Sequence, residues 1–191
     1  GDLVINEVMA ENTSIEDPNG QTEDWIELYN NTSNYLSLND LYLSDTYSNP
    51  LKWKFPANVT IAPNGYLVVW ADNDTLQSGL HANFKLSASG ESAVLSHANG
   101  TILDHVDFEN QTEEFSYQRC PNGTGSFTAA LPSFNSLNCV AGTVEIVPQD
   151  FKLFPNPNTG KFYVENPKNI TSVAVYNTFG QLIESTQNMQ G

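Results

Sequence analysis

Basic residues are scarce in this sequence of 191: seven Lys and Arg stand against 22 Asp and Glu, a net charge of −15. Nucleic-acid binding by phosphate neutralisation needs clustered cations. The seven here are scattered along the chain, which excludes DNA and RNA as partners. An anionic membrane surface repels such a chain for the same reason. No apolar run approaches the roughly eighteen residues that span a bilayer, so membrane insertion is not expected. Cysteine is nearly absent, with Cys120 and Cys139 the only two. His81, His97 and His105 keep no ligand-like spacing to that pair, which argues against zinc. No segment holds a helical period for three turns. Also missing are a Gly-x-Ser-x-Gly elbow and a phosphate-cradling glycine loop. Serine-nucleophile and nucleotide chemistry are therefore not expected.

What the sequence does contain is strand periodicity. Leu3–Met9, Asp24–Asn30 and Leu36–Ser44 alternate as half-buried strands do, and the nearly all-apolar Gly65–Ala71 reads as a central strand. Ser92–His97 and Ile102–Phe108 flank Ala98-Asn-Gly-Thr101, whose Asn-Gly pair suits a tight hairpin. Pro18-Asn-Gly20, Pro63-Asn-Gly65 and Pro121-Asn-Gly123 punctuate the chain as turns. Many short strands with such turns predict an all-β, antiparallel sandwich.

Three constellations are candidates for chemistry. Asp17, Asn19, Gln21 and Glu23 alternate as the oxygen ligands of calcium loops do. The sixth position is Thr22 rather than the Gly an EF-hand wants, and a solvated acidic turn is the competing reading. Asp72-Asn-Asp74 is a weaker candidate of the same kind. In the strand from Asp24 to Asn30, Ile26 and Leu28 point to the core, with Trp25, Glu27 and Tyr29 on the other face. Glu27 and the neighbouring Glu7 form a candidate acid–base pair. The favoured reading is that both sit on a semi-exposed face and accept hydrogen bonds from a loop backbone. Tyr42, Tyr47, Trp53 and Trp70 are candidates for a sugar-stacking platform, although core packing is the commoner role of such residues.

Two families are resembled. Ile5-Asn-Glu-Val8, Asp24-Trp-Ile-Glu-Leu-Tyr-Asn30, Trp53-Lys-Phe-Pro56, Gly90-Glu-Ser-Ala-Val-Leu95 and Pro132-Ser-Phe-Asn-Ser-Leu-Asn138 resemble the bacterial lamin-tail domain in order and spacing. That resemblance runs from about residue 2 to 139 and implies an immunoglobulin-like antiparallel β-sandwich. The closing segment departs from it, with Ser133-Phe134 where the family often shows Pro-Gly. Phe154-Pro-Asn-Pro-Asn-Thr-Gly-Lys-Phe162, followed by Val173 to Ile183, resembles the start of the C-terminal sorting domain of type IX secretion.

The expected organisation is a lamin-tail-like sandwich over 1–139, a linker over 140–150, and a truncated sorting domain, a partial β-sandwich, over 151–191. Val144–Val147 is an optional extra strand. Strands near Lys161–Glu165 and Ser172–Tyr176 are expected to pair outside their normal partners, on the first module or, by preference, in a homodimer. The sorting resemblance implies a protein secreted or held on the outer surface of a Gram-negative bacterium. In an oxidising compartment Cys120 and Cys139 are expected to form a disulfide, worth roughly 3 kcal/mol for such a loop. The expected function is a non-catalytic accessory module for adhesion or partner-domain positioning, meeting a protein or glycan at the cell surface. The alternative is a carbohydrate-binding module of a secreted enzyme. No cofactor is implied beyond the candidate calcium.

Overall fold

The computed structural model describes residues 1–139 and, beyond them, residues 152–154, 163–165, 172–176 and 182–187. The expected linker over 140–150, with its optional strand Val144–Val147, lies outside the described residues. The chain divides into two compact units, Gly1–Cys139 and Val140–Gly191. No helix occurs among the described residues.

The first unit is built from two antiparallel sheets. One runs in the order β11-β10-β1-β2-β7, formed by Ser126–Ala130, Ser116–Cys120, Leu3–Met9, Trp25–Asn30 and Tyr66–Trp70. The other runs β5-β4-β8-β9, formed by Trp53–Lys54, Leu41–Ser44, Glu91–His97 and Ile102–Phe108. A short pair, β3 (Leu36–Ser37) with β6 (Thr60–Ile61), stands apart from both. The predicted Asn99-Gly100 turn joins β8 to β9, with Gly100 at φ +81°. The period-2 alternation of the strands decides the core. Ile5, Ile26, Leu28 and Val69 of the first sheet pack in one cluster with Leu43, Leu95, Val106 and Phe108 of the second. Burying each such side chain stabilises by about 1.5–3 kcal/mol. The result is an immunoglobulin-like β-sandwich.

Two details depart from the alternation read in sequence. β1 carries a bulge between Ile5 and Glu7, where its register against β2 shifts. Ile5 and Val8 therefore both reach the core, and Asn6 and Glu7 are left on the far face. That face is also covered. Met9, Trp25 and Trp70 are buried there in a second small cluster with Phe134 from the segment that closes the unit. Trp25, Glu27 and Tyr29 are consequently buried rather than semi-exposed.

β7 is an edge strand, not a central one. Only its end is enclosed: Val69 and Trp70 are buried, Tyr66, Leu67 and Val68 are half-buried, and a loop pairs with the free edge at Trp70. Trp70 N–H donates to the Leu80 carbonyl at 2.8 Å, and Ala82 N–H donates back to Trp70 at 2.7 Å.

In the second unit β12 (Lys152–Phe154) pairs with β13 (Tyr163–Glu165), and β14 (Ser172–Tyr176) pairs with β15 (Leu182–Gln187). The pairings described there are internal to the segment.

Candidate functional site

Glu7 and Glu27 stand opposite each other in the β1–β2 register, and both are fully buried. Glu7 Oε1 accepts from the Ser116 hydroxyl at 2.5 Å, from Ser133 N–H at 2.9 Å and from Gln118 Nε2 at 3.4 Å. Its Oε2 is bonded to the Ser133 hydroxyl. Glu27 accepts from Asn6 Nδ2 at 3.0 Å and from Asn135 N–H at 2.6 Å. Burial raises the Glu7 carboxyl above its ordinary value, against the lowering pull of the Ser116 and Ser133 hydrogen bonds. Glu27 is pushed up to about 7, first by burial, with the Asn6 hydrogen bond opposing and the Glu7 charge adding.

A general acid or base must reach a substrate proton. These two carboxyls instead reach the backbone of the closing segment, Leu131–Cys139, and fasten it to the sheet. Asn138 completes the seal, donating from Nδ2 to the carbonyls of Asn6 at 2.9 Å and Arg119 at 3.1 Å. The disulfide Cys120–Cys139, with its Cα atoms 5.5 Å apart, ties down the end of the segment.

The four calcium candidates do not converge. Asp17 is buried, and its Oδ1 accepts from Asn19 N–H and Gln21 N–H, both at 2.8 Å. Against the cost of burial, these bonds hold its carboxyl below the ordinary value. Asn19 turns its amide nitrogen, not its oxygen, to Asp17 Oδ2 at 3.1 Å. Gln21 spends its side-chain oxygen on Gln77 Nε2 at 2.7 Å. Glu23 faces Lys85 at 3.7 Å.

What Asp17 does meet is a pair from further along the chain. Asp17, Asp72 and His81 are all buried, each with a ligand-type atom within 4.8 Å of the others. His81 Nδ1 lies 2.6 Å from Asp72 Oδ2, and its Nε2 lies 3.2 Å from the Ser78 carbonyl. Asp72 Oδ1 accepts from Asp74 N–H at 2.9 Å. Asp72 and His81 bond to each other while Asp17 bonds within its own loop, and the hydrogen bonds between the two loops run from Asn19 and Gln21 to Gln77.

The candidate aromatic platform is dispersed as well. Trp53 and Trp70 are buried, Trp53 packing edge-on against Phe55 with ring centres 4.8 Å apart. Tyr47 is exposed beside His105, and its hydroxyl donates to Asp107 at 2.8 Å.

With this geometry in place, comparison with known families decides the class of the sandwich. The profile of the Lamin Tail Domain matches residues 1–110. The chain belongs to the lamin-tail family. The profile of the Secretion system C-terminal sorting domain matches residues 152–191. No curated protein matches the chain. A sorting domain of this kind marks a protein that is secreted or held at the outer surface, and both matched domains are of non-catalytic types.

In this lamin-tail protein β10, β11 and the closing segment lie beyond the matched residues, yet they belong to the same compact unit. They supply Ser116, Gln118, Ser133 and Asn135, the partners that the acid pair needed and that sequence reasoning missed. No periodic signal links those residues to Glu7, more than a hundred positions away. Their abundance of short amides and hydroxyls is the only trace in the sequence.

Proposed function

We propose that the lamin-tail unit is a non-catalytic accessory module of an exported protein. It attaches that protein to, or positions it against, a protein or glycan at the outer surface of a Gram-negative bacterium. The observation that carries this reading is the fate of the one carboxylate pair suited to acid–base work. Glu7 and Glu27 are fully buried and spend their oxygens on the closing segment. A framework consumed in this way leaves function to the loops and edges that it presents. The sorting domain at residues 152–191 supplies the address.

The test is surface display in a host with the matching secretion system. Cells carrying the intact chain are compared with cells in which residues 1–139 are replaced by an unrelated sandwich. Attachment to protein- or glycan-coated surfaces should rise only with the native module. Equal attachment by the two displays overturns the reading, and so does substrate turnover by purified chain that disappears in Glu27→Gln.

A further inference from the structure

The two larger sheets of the sandwich end in β11 and β7 on one side of the core and in β5 and β9 on the other. An open edge recruits foreign strands, and proteins blunt it with a covering loop, charge, proline or brevity. β7 is covered where Trp70 bonds to Leu80 and Ala82. β5 has only two residues. β9 carries Asp104, His105 and Asp107, and Asp104 accepts from Ile5 N–H of β1 at 2.8 Å. β11, the five residues Ser126–Ala130, has neither charge nor proline. Among the described residues, only β10 pairs with it.

Alternation puts Phe127 and Ala129 on one face of β11. That face is the inner one, since Phe127 packs against the core and stacks on Tyr117 of β10, with ring centres 5.4 Å apart. Ala129 is exposed and lines a cavity of about 570 Å³. Phe108, Phe115 and Tyr117 give that cavity an apolar wall, and Asp107 and Glu109 give it charge. No Lys, Arg or His lines it. Hydrogen bonds from Ser92 and Tyr47 hold the Asp107 carboxyl below its ordinary value, so it stays ionised at neutral pH. Phe115 is 41% exposed, and Leu131, which follows β11, is 46% exposed.

We propose that the free edge of β11 takes up an extended, basic strand of a partner protein. The proposal rests on the accessory-module reading above and names the partner's chemistry. The edge offers N–H and C=O groups at strand spacing, a pattern that another extended backbone matches along its length and a saccharide does not. Every second side chain of an added strand turns inward. Within that row an apolar side chain reaches the cavity beside Phe115 and Tyr117, and a Lys or Arg meets Asp107 and Glu109. A second copy of this chain brings the same uncharged edge and a net charge of −15, which leaves both carboxylates unanswered.

The test uses the intact chain, titrated in low salt with fluorescent peptides that repeat Val-Thr-Lys-Thr or Val-Thr-Glu-Thr. A fully N-methylated Lys peptide keeps the side chains and has no main-chain donor. The Lys repeat should bind saturably, roughly tenfold or more tighter than the Glu repeat, and slow amide exchange at residues 126–130. The methylated peptide should not bind. Phe115→Ala should weaken binding of the Lys repeat roughly tenfold while leaving the melting temperature within about 2 °C. The exposed and remote Tyr35→Ala should change neither.

No binding at millimolar peptide overturns the proposal, as does equal binding of the methylated peptide or affinity unmoved by Phe115→Ala. Preference for the Glu repeat, or for a peptide copy of Ser126–Leu131, overturns it in favour of a different strand. Amides at 126–130 that are all slow to exchange before peptide is added mean an edge already paired, and sink it too. If the Lys repeat fails while displayed cells still attach, the edge site falls and the accessory-module reading stands. Strand binding without attachment keeps the site and overturns the surface role.

Discussion

Phe134 shows how one residue trades backbone comfort for contacts. It holds φ +37°, in the left-handed region, where a side chain other than Gly costs about 1–2 kcal/mol. This is the place where lamin-tail sequences often carry Gly in a Pro-Gly pair. The ring offsets the strain here: it meets Trp25 edge-on with centres 5.3 Å apart and Trp70 at 5.8 Å. Each such pair contributes about 0.5–1.5 kcal/mol beyond the area it buries. Phe134→Ala should therefore lose the ring and keep the strain, whereas Phe134→Gly loses the ring and relieves the strain. The Gly variant is expected to be the more stable of the two by about 1 kcal/mol, reversing the usual order. Urea unfolding of both variants checks this, and an Ala variant as stable as the Gly variant contradicts it. Asp17 carries a related lesson. The alternation of oxygens around it was legible, but its real neighbours, Asp72 and His81, arrive from a loop more than fifty residues away.

Among the elements, the closing segment Leu131–Cys139 gives the five-stranded sheet its second buried face, and it does so over two carboxyls. Glu27 stands at about 7 in the folded protein against an ordinary 4.5. Between those values the folded chain keeps the proton that the unfolded chain has released. Stability from this group is thus fully present below about pH 4.5, and about 3 kcal/mol of it is lost as pH rises through 7. Glu27→Gln carries no titrating proton, so the stability difference between wild type and variant should change across that interval. Denaturation at a series of pH values measures it, and parallel curves would sink the assignment. The strands beneath were readable because alternation and turn chemistry are local: Ile26 and Leu28 face the core, and Asn99-Gly100 turns the hairpin. The bulge after Ile5 was not readable, since it breaks the very period that is used to find faces. The burial of Glu7 and Glu27 depends on Ser133 and Asn135, whose covering role has no local signature. β7 misled because its apolar run, Leu67 to Trp70, has the composition of a central strand although it lies at the sheet edge with Leu67 and Val68 only half-buried. The cavity beside Phe115 was likewise invisible, since its lining comes from two sheets.

At the scale of the whole molecule, the sorting unit sets the association behaviour to be expected of the purified chain. Its described strands form two hairpins, β12 with β13 and β14 with β15. An isolated two-stranded hairpin is marginal in water, and a strand edge is a ready template for another strand. A second copy of the chain offers the same edges, and like edges pair across a twofold axis. A homodimer through residues 151–191 is therefore expected as concentration rises. The net charge of −15 opposes the approach of two copies, so salt should favour it. Light scattering in low salt and in about 0.5 M salt, where screening is nearly complete beyond a few ångströms, decides the matter. The intact chain should shift toward dimer, more so in high salt, while a version ending at Val147 stays monomeric in both. An intact chain that remains monomeric at high concentration in either buffer removes the sorting segment as a dimerisation element, and a shortened chain that dimerises equally well moves the contact to the sandwich.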